Sequence, residues 1–482
     1  MLLRDLLLKV DTLENAADLE ADILGICYDT RKLKAGELFV AIRGYESDGH
    51  QHIENAVKNG AICIICEEEP KAETPYIIVE NARKALAQIS AAWFDYPAKK
   101  LKLVGVTGTN GKTTVTNLLK QVIEQSTGAK AGLIGTNGNM IGDRLVPSDH
   151  TTPESYEIQK LLATMVREDC EYAVMEVSSH ALSLDRVYGM EFDVGIYTNL
   201  SPEHLDFHGT MEKYAYAKSV LFSISRVSVI NIDDKYAQTM LKNTIGTILT
   251  YAINDSFADV VGKNVKLHVD GVEFGALTVG SLIRVVVGIP GLFTVYNALA
   301  VITAAHQLGI DFDEAATQLQ KCNGVKGRAE VVQTNCDYTV MIDYAHTPDA
   351  LEKIIVTAKI ATKGRVITLF GCGGDRDREK RPLMGNIAAI LSDMVIVTSD
   401  NPRTEDPTKI INDILAGMEN TRTPFYVIEN RREAIHWALD NCRPDDTLIL
   451  AGKGHETYQI IGKEKTDFDE RTIVRDWLKG SM

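Results

Sequence analysis

The chain has 482 residues, which is too long for one ordinary hydrophobic core, so its length predicts about two to four domains. The 45% of hydrophobic and 24% of charged residues are typical of a soluble globular protein. A formal net charge of −15 argues against nucleic acid as the main partner, and no apolar run approaches the roughly 18–20 residues that span a bilayer.

The first predicted domain covers residues 1–98 and has an α/β pattern. Its first 20 residues are apolar for only a short stretch and include Arg4, Asp5 and Lys9, which favours an amphipathic helix over a signal peptide. Strands are predicted at 38–42, 61–66 and 76–79, and helices around 51–59 and 81–94.

Eight cysteines are scattered along the chain. Cys63 and Cys66 form a CxxC pair, but they lie inside the apolar run AICIICEE with no second pair nearby. This context favours a buried strand over a metal or redox site. Reduced cysteines and the expected lack of an export signal predict a cytoplasmic protein.

Residues 103–114 read LVGVTGTNGKTT, a short apolar strand followed by a glycine loop, and helical spacing continues over 114–124. This order is typical of a phosphate cradle, in which Lys112 reaches the β- and γ-phosphates and the Thr113 hydroxyl holds Mg²⁺. The glycines fall at positions 105, 108 and 111, and Val106 occupies the place of the usual first glycine. The sequence therefore predicts a variant nucleoside triphosphate site.

The second predicted domain, residues 99–328, is built around this loop. Strands are predicted near 131–135, 172–177, 193–198 and 228–232, with an antiparallel excursion over 260–287 and a helix from about 292. Glu176 ends one of these strands between apolar flanks, which favours a second anchor for the Mg²⁺ over a solvated carboxylate. His204, Asp206 and His208 follow Asn199 closely and favour metal or phosphate binding. The pattern around Lys218 predicts a surface lysine.

The third predicted domain covers residues 329–482. Strands at 339–343, 365–370, 394–398, 425–428 and 447–451 alternate with helices, which predicts a doubly wound sheet with ligands at the carboxyl ends of its strands. Glycine-rich loops after these strands contain a guanidinium cluster suited to carboxylates or phosphates, with a solvated loop as the alternative. The candidate residues of this domain and its edge are Arg328, Asp343, His346, Arg376, Asp377, Arg378, Lys380, Arg381 and Arg403.

Seven motifs, in order along nearly the whole chain, together resemble the Mur ligase family. Single motifs such as GTNGKTT are shared with folylpolyglutamate synthetases. The motifs are GTNGKTT at 108–114, EVSSHAL at 176–182, NLSPEHLDFHGT at 199–210, DYAHTPDAL at 343–351, GCGGDRDREKRPLMG at 371–385, DNPR at 400–403 and GKGHE at 452–456.

The resemblance implies an α/β protein with a UDP-binding N-terminal domain, a central P-loop ATPase domain with a parallel sheet and a Rossmann-like C-terminal domain. It implies a monomer that uses ATP and Mg²⁺ to form an amide bond through an acyl phosphate, in the synthesis of peptidoglycan precursors. The expected substrates are UDP-MurNAc-L-Ala-D-Glu and meso-2,6-diaminopimelate. Lysine as the added amino acid and a folylpolyglutamate synthetase-like ligase remain alternatives, as does a P-loop binding protein without catalysis.

The resemblance also implies roles for individual residues. The expected ATP contacts are Gly108, Thr109, Asn110, Gly111, Lys112, Thr113, Thr114, Asn297, Arg328 and Asp343. The UDP-muramoyl-dipeptide would contact Asp29, Thr30, Arg31, Gly49, His50, Thr151, Thr152, Ser178 and Arg186. Metal ions would bind Thr113, Glu176, His204 and a carbamylated Lys218, and the expected catalytic residues are Lys112, Glu176, His204, Lys218 and Arg328.

The incoming amino acid would bind at the third domain. Family members that add diaminopimelate carry the DNPR motif, and its Arg403 could pair with the distal carboxylate that lysine does not have. This reasoning predicts diaminopimelate over lysine. The full expected pocket is Arg376, Asp400, Asn401, Pro402, Arg403, Gly452 and Glu456, with Glu456 facing the distal ammonium.

Overall fold

The protein has three α/β units, each built on its own sheet. A computed structural model describes residues 1–44, 47–148, 150–268, 270–334, 336–419 and 421–480. The sheets have five, eleven and six strands, and a two-stranded ribbon is added near the C-terminus. The predicted α/β class is confirmed. In the described part of the chain, no helix is both long and apolar enough to cross a membrane.

The N-terminal unit is a five-stranded sheet in the order β1-β5-β4-β3-β2, parallel except for β1. Cys63 and Cys66 lie fully buried on β4, as predicted, and all eight cysteines are free. The elements are α1 (Leu3–Leu6), β1 (Thr12–Asn15), β2 (Gly25–Cys27), β3 (Glu37–Val40), α2 (Ile53–Lys58), β4 (Cys63–Cys66), β5 (Tyr76–Val79) and α3 (Ala82–Trp93).

The predicted N-terminal amphipathic helix is wrong. Helix α1 ends at Leu6, and the chain then forms β1, which pairs with β5 and covers an edge of the sheet that would otherwise offer unpaired backbone groups. Leu3 and Leu6 enter the core, whereas Leu8 and Leu13 are 76% and 70% exposed. The leucine spacing therefore reflects one buried turn followed by an edge strand, not a continuous helical face.

The central unit has an eleven-stranded sheet whose seven middle strands are parallel. Antiparallel pairs close both ends, and the predicted excursion over 260–287 is confirmed as β14 to β16. The elements are β6 (Lys102–Thr107), α4 (Lys112–Thr127), β7 (Lys130–Ile134), β8 (Asn139–Ile141), β9 (Arg144–Val146), α5 (Ser155–Arg167), β10 (Cys170–Glu176), α6 (Ser179–Ser183), β11 (Phe192–Tyr197), α7 (Leu205–His208), α8 (Met211–Ser223), β12 (Ser225–Asn231), α9 (Ala237–Asn243), β13 (Thr247–Ala252), β14 (Val260–His268), β15 (Gly271–Thr278), β16 (Ser281–Val287), α10 (Leu292–Gln307) and α11 (Phe312–Lys321).

The C-terminal unit is a six-stranded sheet in the order β17-β18-β22-β19-β20-β21, parallel except for β17. All five strands predicted here are present. The elements are β17 (Glu330–Val332), β18 (Thr339–Asp343), α12 (Pro348–Ala361), β19 (Val366–Phe370), α13 (Lys380–Leu391), β20 (Met394–Val397), α14 (Pro407–Leu415), β21 (Phe425–Val427), α15 (Arg431–Asn441), β22 (Thr447–Ala451), β23 (Tyr458–Ile461), β24 (Glu464–Asp467) and α16 (Glu470–Gly480).

A buried ion pair joins the last two long helices of this unit. The side chains of Arg431 and Glu470 are both 0% exposed, with Nη2 and Oε1 2.8 Å apart, and Nη2 also donates to the carbonyl of Ala451. Replacing Arg431 by methionine would leave the Glu470 carboxylate buried without a cation. We expect the free energy of unfolding to fall by about 3–5 kcal/mol, measured by urea unfolding.

Tryptophan fluorescence is a suitable readout because Trp437 and Trp477 lie on α15 and α16. The double variant Arg431→Met/Glu470→Leu removes both charges, and we expect it to recover most of the loss. Equal losses in the single and double variants would contradict this account of the pair.

Candidate nucleotide and substrate site

The glycine loop lies between β6 and α4 at the centre of the eleven-stranded sheet. Gly108 has a φ of +148°, and a Cβ placed on it would be 1.9 Å from Thr198 Oγ1, so only glycine fits there. The backbone N–H groups of Thr109 and Asn110 donate to Asn199. The Lys112 Nζ donates to the carbonyls of Gly108 and Thr109, both at 2.8 Å. The loop thus has the tight curvature and the pre-positioned cation that phosphate binding needs.

Glu176 lies beside this loop because β10 is the parallel neighbour of β6. Its carboxylate is 1% exposed and accepts hydrogen bonds from the Thr113 hydroxyl at 3.1 Å and from the backbone N–H of Thr136 at 2.8 Å. Carboxylate and hydroxyl oxygens are the donors that Mg²⁺ prefers. Within the described residues, no group of three or more His, Cys, Asp or Glu side chains could hold a metal ion, and Mg²⁺ in such sites takes most other ligands from phosphates and water.

Lys218 is not on the surface, contrary to the sequence-based expectation. It is 1% exposed on α8, its Nζ donates to the Gly108 carbonyl at 2.9 Å, and it lies over the Tyr214 ring. Its helix packs into the core through Tyr214, Leu221 and Phe222, so the polar end of Lys218 points to the glycine loop. Burial, and then the nearby charge of Lys112, lower the pKa of Lys218 well below its usual value. A lowered pKa favours the uncharged amine, the form that reacts with CO₂, and carbamylation stays a prediction.

The three polar residues after Asn199 take different places. His204 has a φ of +56° and an edge-on contact with His180, with ring centroids 4.7 Å apart. His208 hydrogen-bonds Ser179 and stacks on Tyr214, so it is part of the packing. Asp206 is exposed. Burial lowers the pKa of both histidines, that of His208 to about 4, which favours the neutral imidazole that binds metals. Of the three, His204 is the best placed to bind a ligand.

The residues expected at the muramoyl group lie together beside Glu176. The hydroxyl of Thr152 donates to the Glu176 carbonyl at 2.8 Å and accepts from the Ser178 N–H. Arg186 donates to the Thr152 carbonyl at 2.8 Å. The Thr151 hydroxyl accepts from Thr136, which binds Glu176 in turn. This cluster therefore adjoins the glycine loop through Glu176.

The residues expected at the uridine nucleotide belong to the N-terminal unit. Asp29 pairs with Arg31 at 2.8 Å, and the carbonyl of Thr30 accepts from Asn59. His50, which follows Gly49, hydrogen-bonds Asp48 and the Glu67 N–H. The Tyr28 hydroxyl donates to Glu157 on α5 of the central unit, so the loop that contains Thr30 begins at the junction between these two units.

The C-terminal unit reaches the glycine loop directly. Arg328, at the edge of the central unit, donates to the Thr113 hydroxyl at 3.1 Å, and the Ala329 N–H beside it donates to Asp343 of the C-terminal unit at 2.6 Å. Asp349 accepts from Asn110 at 2.8 Å, a contact that the sequence did not reveal. From the central unit, the Asn297 Oδ1 lies 2.6 Å from a Cβ placed on Gly111. The expected ATP residues of the central and C-terminal units therefore meet at one loop.

The residues expected at the amino acid lie in loops after β19, β20 and β22. Arg403 has a φ of +52°, and its Nη1 donates to the Gly374 carbonyl at 2.7 Å. A Cβ on Gly373 would lie 2.9 Å from that Nη1 and 3.9 Å from Arg376 Cγ, whereas the Arg376 Nη1 donates to the Asp375 carbonyl at 2.9 Å.

Two carboxylates complete this group. The Asn401 Nδ2 donates to Glu456 Oε2 at 2.9 Å. The Asp400 Oδ2 lies 2.7 Å from a Cβ placed on Gly452, and the carbonyl of Pro402 lies 1.9 Å from one placed on Gly374. The structure thus brings together all seven residues expected at the amino acid, and it adds Lys453, which the sequence reasoning missed.

Three family descriptions match the chain: "Mur ligase family, catalytic domain" over residues 22–94, "Mur ligase middle domain" over 106–305 and "Mur ligase, glutamate ligase domain" over 327–454. The UDP-N-acetylmuramoyl-L-alanyl-D-glutamate--2,6-diaminopimelate ligase of Caldanaerobacter subterraneus subsp. tengcongensis is 50% identical over 464 residues, with 95% of both chains covered. A ligase with the same name and the number 1, from Clostridium acetobutylicum, is 47% identical, with 96% of both chains covered. A solved structure of a ligase with this name is 33% identical, has a TM-score of 0.73 and covers 100% of this chain and 99% of its own.

Proposed function

Because the chain belongs to the Mur ligase family, we propose that it is an ATP-dependent amide ligase that adds meso-2,6-diaminopimelate to UDP-MurNAc-L-Ala-D-Glu. The observation that carries this proposal is the 50% identity, over nearly the whole chain, to a ligase named for these substrates. The Arg403 guanidinium beside Gly373 supports the choice of amino acid, because a guanidinium group suits a substrate with a second carboxylate.

The proposed reaction has two steps. An oxygen of the substrate carboxylate attacks the γ-phosphorus of ATP, and ADP leaves, which forms an acyl phosphate. The amine nitrogen of the amino acid then attacks the acyl carbon, phosphate leaves and the nitrogen loses a proton. The first step brings two anions together, so Lys112 and Arg328 would act by neutralising charge around the γ-phosphate.

The metal donors proposed at this site fit Mg²⁺. The Thr113 hydroxyl and the Glu176 carboxylate already lie 3.1 Å apart, and we assign His204 and a carbamate on Lys218 to a second ion. Bound Mg²⁺ would supply further positive charge at the phosphates. Mg²⁺ prefers oxygen ligands and an unmodified Lys218 has no oxygen to offer, which is why the modification belongs to the proposal.

We further propose that the three sites correspond to domains 1–98, 99–328 and 329–482, which bind the UDP group, ATP and the amino acid respectively. We also propose that the protein is a monomer. Since ATP and UDP-linked precursors are metabolites of the cytoplasm, we propose that the protein acts there.

Substrate-dependent formation of ADP tests this function. We expect ADP only when UDP-MurNAc-L-Ala-D-Glu and an amino acid are both present, with diaminopimelate preferred over lysine and ornithine by at least about 100-fold in kcat/KM. A preference for lysine would mean that the enzyme adds lysine and not diaminopimelate. Turnover with a dihydrofolate acceptor would indicate a folylpolyglutamate synthetase-like enzyme, and no turnover with any acceptor would leave a nucleotide-binding protein.

A further inference from the structure

Lys453 is a buried cation behind the proposed amino-acid pocket. It lies between Gly452 and Gly454 in the loop after β22, and its side chain is 0% exposed. The Nζ donates to Asn401 Oδ1 and Glu456 Oε2, each at 3.1 Å, and Asp400 Oδ1 lies 3.5 Å away. An ammonium has three N–H donors and no acceptor. Three acceptors therefore surround three donors, as expected for a charged lysine.

The position of Lys453 fixes the groups that would touch the substrate. Glu456 Oε2 is held by Lys453 and by the Asn401 Nδ2, and the Asn401 Oδ1 also accepts from the Ile460 N–H at 3.0 Å. The side chains of Asp400 and Glu456 are only 8% and 11% exposed. Charges in such a place are screened little by water. The removal of Lys453 would leave two nearly buried carboxylates close together without their common cation.

We propose that Lys453 is a positioning residue that determines amino-acid specificity, because it orients Asn401 and Glu456 and offsets one of the two carboxylate charges in the pocket. This inference rests on the proposed function. Diaminopimelate has two ammonium and two carboxylate groups and no net charge, whereas lysine has one carboxylate fewer and is a cation. A pocket without Lys453 becomes more negative, which favours lysine and disfavours the extra carboxylate of diaminopimelate.

Competition between the two amino acids tests the proposal. Full-length enzyme is supplied with ATP, Mg²⁺, UDP-MurNAc-L-Ala-D-Glu and a mixture of diaminopimelate and lysine, and the two products are counted by mass spectrometry. Their ratio, divided by the ratio of substrate concentrations, equals the ratio of the two kcat/KM values. This ratio does not depend on how much of a variant is active, so a partly unfolded preparation still gives a valid result.

We expect Lys453→Met to lower the diaminopimelate-to-lysine ratio by about tenfold or more. Lys453→Arg keeps the charge, and we expect its ratio to stay within about threefold of the unmodified enzyme even if both activities fall. Glu456→Gln removes a negative charge and should raise the ratio, and adding Lys453→Met in that background should lower it again. The comparison of Glu456→Gln with the double variant Glu456→Gln/Lys453→Met remains informative if the single Lys453→Met variant does not fold. The double variant leaves fewer unpaired buried charges than the single one.

An unchanged ratio in Lys453→Met, with both activities reduced equally, would mean that Lys453 supports only the fold, and it would overturn the proposal. The same conclusion follows if Lys453→Met does not change the ratio in the Glu456→Gln background. A failure of the proposed function is distinguishable, because the unmodified enzyme would then yield no diaminopimelate product at all.

Discussion

Replacement of Lys112 by methionine is expected to lower the kcat of ADP formation by about 1,000-fold or more. The Nζ of Lys112 donates to the carbonyls of Gly108 and Thr109, which belong to the loop that would hold the phosphates. Burial lowers the pKa of Lys112, and the nearby carboxylates of Glu176 and Glu203 oppose this effect. Methionine has a similar length but no charge, so it isolates the electrostatic contribution.

Lys120→Met is the matched control for this variant. Lys120 lies about two turns further along the same helix, is also buried, and pairs with Glu124 at 2.7 Å. We expect its kcat to stay within about threefold of the unmodified enzyme. If Lys112→Met kept more than about a tenth of its kcat, the loop would not bind the transferred phosphate as proposed.

Replacement of Arg403 by alanine is expected to lower kcat/KM for diaminopimelate by about 100-fold or more, since a paired carboxylate would lose its cation. Lysine has no distal carboxylate, so its kcat/KM should change by less than about threefold. The two values are measured separately by the formation of ADP with saturating ATP and UDP-muramoyl-dipeptide.

Arg475→Ala serves as the control for the loss of an arginine, because Arg475 is an exposed residue of α16 outside the proposed pocket. It should leave both values unchanged. If Arg403→Ala lowered kcat/KM equally for diaminopimelate and lysine, Arg403 would maintain the loop conformation through its hydrogen bond to Gly374. It would then not bind the distal carboxylate of the substrate.

Much of the fold could be predicted from local patterns. Four of the five strands predicted in the C-terminal sheet are short apolar runs with buried centres, which is the pattern of buried parallel strands, and the fifth, β21, is an exposed edge strand. The N-terminal leucines misled the prediction because their spacing satisfies a helix for one turn only. Whether the next residues continue a helix or join a sheet depends on the free edge of β5, which is distant in sequence.

The site was predictable in its motifs but not in its assembly. The contact between Arg328 and Thr113 joins residues 215 positions apart, and no local spacing encodes it. The lysines show the same limit. Lys218 has no charged residue within four positions on its helix, a signal that could have indicated burial, whereas Lys453 lies between two glycines in a loop and resembles a solvated residue. Only the packed structure reveals that both Nζ atoms point inward.

Arg403 has a left-handed backbone conformation, with a φ of +52°. This conformation lowers the stability of the fold at a residue that we propose for substrate recognition. A residue with a Cβ in this region costs roughly 1–2 kcal/mol relative to a relaxed backbone, and glycine would avoid that cost. Selection for heat resistance alone would therefore favour glycine at position 403, and the variants it enriched would be more stable but poorer at binding a dicarboxylic amino acid. Under the proposed role of Arg403, the protein gives up part of its stability at this position to discriminate between two amino acids.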